Sequence, residues 1–297
     1  MYEVIFAADR GFYVSSFKRK PDEPYTKPGC TFCAIRDRDP GVFTRRIHMD
    51  EEAIVLMNIY PYSPGHLQVI PPRHVEKLEE LSHEELAYLM EYLQRSIYLA
   101  QETLKPEGYN IGINLGEAGA SIPHIHIQLV PRYDNNPSLG QDKIHDIYLK
   151  NLDMMKGVER DIRMEDGSEP KIREIGEEVI EGDRIRVGLS SKPYNRGHMI
   201  LLMPRPFHKE TPDRLARIFF TAVKYKAVLE RAYDPDGFNI GMNLGKVPQG
   251  SSRALHLVPR FRRESGFMEV IASTRIIVET LDEAERKILE LVTSSPP

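Results

Sequence analysis

The sequence predicts an α+β fold of two tandem units, each an antiparallel sheet carrying a helix. Three observations predict it. Tyr109-Asn-Ile-Gly-Ile-Asn-Leu-Gly116 returns as Phe238-Asn-Ile-Gly-Met-Asn-Leu-Gly245, and Leu129-Val-Pro-Arg-Tyr133 returns as Leu257-Val-Pro-Arg-Phe261. Upstream, Tyr62-Ser-Pro-Gly-His66 pairs with Tyr194-Asn-Arg-Gly-His198, again in the same order. Each half also sets short apolar runs around one long amphipathic stretch, the pattern of sheet and helix together.

The elements follow in order. Ala53 to Met57 and His66 to Ile70 read as neighbouring strands, joined through a turn at Pro61 and Pro64. Ser82-x-x-Glu85 is a capping box, and Leu86, Leu89, Met90, Leu93 and Ile97 form the apolar stripe of the helix behind it. Ile111 to Leu115 and His124 to Val130 are the next strands. From Asp134 to Glu178 the chain is polar and broken by glycine and proline, and reads as an extended connection with some helix at Ile144 to Met155. In the second half Ile185 to Leu189 and Met199 to Met203 are strands. Thr211-Pro212 starts a helix with Leu215, Ile218, Phe219 and Ala222 inward, and Thr280 caps a last helix from Leu281. The units are expected at 1–155 and 156–297.

The most informative strand carries His124, His126 and Gln128 at alternate positions, with Ile125, Ile127 and Leu129 between them. A strand sends alternate residues to one face, so the three polar side chains share a face opposite an apolar layer. Buried imidazoles and amides are costly without partners or chemical work. The pattern resembles the histidine-triad superfamily, whose signature is three histidines separated by apolar residues. With Gln128 in third place it looks like the transferase branch, which includes uridylyltransferases and dinucleoside tetraphosphate phosphorylases. The resemblance covers most of residues 30–133 and, more weakly, 185–278. Within the latter, Glu269 to Val278 looks like the tail of single-domain dinucleoside polyphosphate phosphorylases. It implies an intramolecular pseudo-dimer of histidine-triad-like units.

Aligning the two Leu-Val-Pro-Arg anchors sets Ser252, Ala254 and His256 opposite His124, His126 and Gln128. The second copy lacks the central histidine, so the chemistry is expected in the first. His126 is the expected nucleophile toward phosphorus, with Nδ1 protonated and Nε2 attacking. Gln128, Gly119 and Ser121 are expected to donate to phosphate oxygens. Because an amide does not titrate, hydrolysis of the intermediate should be slow and transfer to phosphate, nucleotide or sugar phosphate favoured. Asn114 and Arg132 stand between contact with phosphate and a structural role, since Asn243 and Arg260 repeat them. Asn58 occupies the family's ribose-binding position, or else caps a turn.

Cys30-Thr-Phe-Cys33 supplies half of a metal site. The resemblance implies a structural zinc held by Cys30, Cys33, His74 and His124, with His48 as the competitor for His74. A redox pair or two packing cysteines are the alternatives. The expected function is therefore nucleotidyl transfer, most of all adenylyl transfer to phosphate. A sugar-1-phosphate nucleotidylyltransferase and a non-catalytic nucleotide sensor are the other readings. A net charge of −4 argues against nucleic-acid or membrane-surface partners. Two cysteines suggest no disulfide framework. The start, Met1-Tyr-Glu-Val-Ile-Phe, does not resemble a signal peptide. A cytoplasmic location is expected, and a further homodimer is compatible with the fold.

Overall fold

The computed structural model describes residues 29–116, 122–135, 137, 139–157, 161–165, 167–247, 250–262 and 279–293. Its centre is one ten-stranded antiparallel sheet. The first half supplies β1 (Arg45–Met49), β2 (Ile54–Met57), β3 (Leu67–Ile70), β4 (Gly108–Gly116) and β5 (Ile127–Arg132). The second supplies β6 (Ile172–Ile180), β7 (Asp183–Ser190), β8 (Met199–Leu202), β9 (Gly237–Gly245) and β10 (Ala254–Arg260). The order across the sheet is β1-β2-β3-β5-β4-β9-β10-β8-β7-β6. It reads alike from either edge, as a pseudo-twofold axis between β4 and β9 requires.

The repeated Asn-Ile-Gly passages meet at that axis. β4 and β9 pair along their whole length, from Gly108 opposite Gly245 to Gly116 opposite Gly237, with Gly112 facing Gly241 in the middle. Ile111, Ile113, Ile240 and Met242 turn to one face and join a core continuous between the halves. Asn110, Gly112, Asn114, Asn239, Gly241 and Asn243 turn to the other, because side chains alternate along a strand.

The apolar face is covered by α2 (His83–Leu104) and α4 (Pro212–Tyr233). Helix α2 begins with the expected capping box, in which Ser82 Oγ accepts from Glu85 N while Ser82 N donates to Glu85. Helix α4 begins at Thr211 with Pro212 in its first turn. Gln94 of α2 donates to the carbonyls of Phe207 and Glu210, tying the two halves together beneath the sheet. At the start of α4, the buried Arg214 and Glu210 approach to 2.8 Å, and Arg214 also donates to Ile180 O. Among the described residues no helix is long and apolar enough to cross a membrane.

Four elements differ from the sequence reading. The Asp134 to Glu178 connection contains α3 (Gln141–Lys150) and a 3-10 turn at Leu152–Met155, near the helix expected there. Its last part, however, is β6, an edge strand paired with β7. Glu174, Glu177 and Val179 are exposed, Glu178 is half-buried against Lys224 and Tyr225 of α4, and a register shift between Glu174 and Gly176 breaks the alternation. Short β1 and α1 (Thr31–Arg36) were also unforeseen. Lastly, β5 begins at Ile127, so His124 and His126 stand on the approach to the strand and not within it. Helix α5 (Leu281–Thr293) starts at Thr280 as expected.

Candidate active site and metal centre

Ile125, Ile127 and Leu129 enter the core beneath the sheet, which leaves His124, His126 and Gln128 to the opposite face. His126 is buried, and its Nδ1 lies 2.8 Å from the carbonyl of His124. A carbonyl only accepts, so Nδ1 carries the proton and Nε2 the lone pair. No hydrogen-bond partner meets Nε2 among the described residues. Burial lowers the His126 pKa from the ordinary imidazole value, with the bond to His124 O acting in the opposite sense. The ring is therefore neutral and nucleophilic near pH 7. The edge of Phe32 packs against it with centroids 5.2 Å apart.

Gln128 is fixed by His66, which the sequence reading placed only at the end of the repeated turn and the start of a strand. Tyr62 N donates to His66 Nδ1 at 3.2 Å, so His66 carries its proton on Nε2. That proton goes to Gln128 Oε1 at 2.6 Å. With its oxygen engaged, Gln128 has only its amide N–H groups left to present. The repeated Tyr-x-x-Gly-His turn was the signal for this role, since it places the same histidine beside both triad strands.

The cysteine pair closes the other side. Cys30 Sγ lies 3.3 Å from His124 Nδ1, Cys33 Sγ 3.4 Å from His74 Nδ1 and 3.8 Å from His124 Nδ1. The four ligand atoms all lie within 4.8 Å of one another. Tetrahedral zinc with Zn–S of about 2.3 Å and Zn–N of about 2.0 Å implies S···N edges of roughly 3.5 Å, so the set fits that ion. The outer groups fit as well. His124 donates Nε2–H to Pro71 O at 3.0 Å, and His74 Nε2 faces Glu76 at 3.4 Å, which frees both Nδ1 atoms for a metal. Burial holds the His124 pKa down at about 4, with the nearby His74, His126 and Arg36 adding to it. Burial first, then the neighbouring Cys30, raises the Cys33 thiol. A dication would reverse that repulsion. His48, the competitor, is instead bound to Asp50 and Tyr92.

The remaining expected site residues sort as follows. Asn114 accepts from Asn239 at 2.6 Å, and Asn110 donates to Asn243 at 2.8 Å, so this ladder stitches the repeats across the seam. Arg132 donates to Asn110, and Arg260 repeats the contact on Asn239. Asn58 Oδ1 accepts from Tyr60 N in a turn, as Ser190 Oγ does from Lys192 N in the second half. Gly119, Ser121 and the Glu269 to Val278 tail lie outside the described residues.

Fold and site together define a tandem-repeat protein with one intact histidine-triad-like centre and one degenerate copy. A HIT domain model matches residues 42–135. An uncharacterized HIT-like protein of Chlamydia muridarum is 34% identical over 86 residues, spanning 29% of this chain and 68% of that protein. The chain belongs to the HIT family. It is also similar to an AP-4-A phosphorylase of Mycobacterium tuberculosis, 42% identical over 95 residues, 28% of this chain and 49% of that protein. The chain thus spans about half the length of that relative. A solved structure of a uridylyltransferase covers 94% of both chains with a TM-score of 0.60 at 13% identity, a likeness of fold.

Proposed function

We propose that the chain is a nucleotidyltransferase or phosphorylase that moves a nucleoside monophosphate through a covalent intermediate on His126. The observation that supports this reading best is a pair of pre-set groups: His126 with its Nε2 lone pair exposed by the tautomer, and Gln128 with its donors turned out by His66. In the first step Nε2 forms a bond to phosphorus as the bridging P–O bond breaks, its electron pair leaving with the departing phosphate. The Gln128 amide donates to a non-bridging oxygen as negative charge builds there. In the second step an acceptor phosphate oxygen attacks the same phosphorus, and the N–P bond breaks to return neutral imidazole. Gln128 cannot take a proton from water, which favours phosphate or a sugar phosphate as acceptor over hydrolysis.

The likeness to AP-4-A phosphorylases favours an adenylyl group taken from a dinucleoside polyphosphate or nucleotide. Asn58 and Asn114 keep amide N–H groups for the nucleotide, and Gly119 and Ser121 are proposed to border its phosphate. Cys30, Cys33, His74 and His124 would hold a structural zinc; bound there, it would pin α1, and with it Phe32, against the approach to β5.

Intact-mass measurement after mixing the protein with diadenosine tetraphosphate, ATP, ADP-glucose or UDP-glucose tests the reading. A nucleotide-sized adduct is expected from an adenylyl donor, and none from the His126→Ala variant. Nucleotide binding with neither adduct nor turnover would leave a sensor instead.

A further inference from the structure

The second repeat has lost its nucleophile but not its hydrogen-bond relay. Tyr194 N donates to His198 Nδ1 at 3.1 Å, so His198 carries its proton on Nε2 and passes it toward His256 Nδ1 at 3.0 Å. His256 must then hold its own proton on Nε2. His66 and Gln128 end in the same way, with an N–H donor at the tip. His256 is only 8% exposed, and its Nε2–H meets no acceptor among the described residues. That N–H is therefore left to whatever occupies the adjoining cleft.

The side chain borders a cavity of about 360 Å³, which Gly112, Asn239, Gly241, Asn243 and Arg260 also line. That volume lies within the range of small-molecule sites. Across the sheet, Gln128 stands opposite Gly112, Gly112 opposite Gly241, and Gly241 opposite His256. Residues directly opposite in antiparallel strands share a face. Gln128 and His256 therefore look out on the same side, three strand spacings or about 14 Å apart, with a bare backbone floor between them. Gly241 is demanded by the fold, since a Cβ there would meet Ile111 O at 2.2 Å. Gly112 is not, since a Cβ there would meet only Ile240 O at 3.6 Å. The open floor at 112 answers to something lying above the sheet.

We propose that this cleft is a non-covalent subsite for the distal phosphate–nucleoside arm of an elongated nucleoside polyphosphate whose near phosphate lies at His126. It rests on the nucleotidyl-transfer reading and assigns a place to the leaving half of the substrate. The His256 Nε2–H, the Arg260 guanidinium and the asparagine amides supply donors suited to phosphate and ribose oxygens. Ala254, in the place of His126, ensures that this arm is held and not attacked.

Calorimetric titration of diadenosine tetraphosphate and of AMP into the full chain, in a His126→Ala background that blocks turnover, tests it. Adding His256→Ala should weaken diadenosine tetraphosphate at least tenfold more than AMP. His256→Gln, which restores an amide donor, should recover most of that loss. Equal effects on both ligands, or none, overturn the subsite, and failure of the parent variant to bind either ligand overturns both proposals. A missing His126 adduct in the wild type, read separately by mass, would sink the chemistry while the binding comparison still decides the subsite.

Discussion

Gln128 and His256 sit at matching positions of the two repeats and end matching relays, yet they answer differently to protons. Removing His66 by His66→Ala strands Gln128 Oε1 without its donor. The cost should be about 1–3 kcal/mol of stability, together with slower adduct formation as the amide loses its fixed orientation. Urea unfolding and single-turnover mass measurements check the two parts. For His256 burial holds the pKa down at about 4, and burial followed by the neighbouring His256 lowers His198 further. A histidine with a depressed folded pKa is neutral in both states above about pH 6.5. Below that the unfolded chain takes up a proton that the folded chain refuses, so stability falls until the folded group titrates near pH 4. His256→Gln should flatten this loss by up to about 1.4 kcal/mol per pH unit, visible as unfolding curves that converge above pH 6.5 and separate toward pH 5. At this scale the shared face of His124, His126 and Gln128 was legible from alternation, and the His126 tautomer was expected from what attack by Nε2 requires; the carbonyl of His124 accepts that Nδ1 proton. His66 as the orienting group of Gln128 was missed, since that contact crosses from β3 to β5.

Among the elements, α1 is the least self-sufficient. It has six residues, no side-chain cap, and only Phe32 and Ile35 buried. A helix so short does not persist by itself, so its place depends on the Cys30/Cys33 cluster and on Arg36 donating to Pro72 O. On the proposal that this cluster holds zinc, a chelator should expose α1 to proteolysis before the rest of the chain, and should slow adduct formation by freeing Phe32 from the His126 ring. Equal protease resistance with and without metal would rule this out. Helix α4 shows the opposite case, in which burial makes a charge pair indispensable. Glu210 is pushed up by burial and pulled down by Arg214, then Arg205. Arg214→Ala would leave that buried carboxyl with only Arg205, at 3.6 Å, at a cost of up to about 3–5 kcal/mol, measurable by urea unfolding. Long helices and inner strands were legible because their periodicity and caps are local. The strands β1 and β6 were not, because edge strands alternate with charge on a solvated side and carry little apolar signal.

Across the whole molecule the two halves join as a pseudo-dimer through β4 and β9, and they differ in site chemistry more than in backbone. The repeated passages foretold two tandem units and the family resemblance implied the pseudo-dimer, but the single sheet across β4 and β9 could not be read from either, since pairing between repeats leaves no spacing in the sequence. The seam itself is asymmetric despite its near-identical strands. Gly112 and Gly241 face each other at the axis, and a perfect twofold would make them equivalent. A Cβ at Gly241 would strike Ile111 O at 2.2 Å and Gly112 Cα at 2.9 Å, whereas one at Gly112 would reach Ile240 O at 3.6 Å. Backbone of a central strand pair cannot yield as a side chain can, and inserting atoms into a well-packed place costs about 1–3 kcal/mol and occasionally more. Gly241→Ala should therefore lower the unfolding temperature sharply or prevent folding. Gly112→Ala should fold with near wild-type stability, gaining slightly from reduced freedom of the unfolded chain. Thermal unfolding of the two variants side by side measures the difference. Equal losses would mean that the seam is symmetric, and that the open floor at Gly112 is held open by packing and not left free for a ligand.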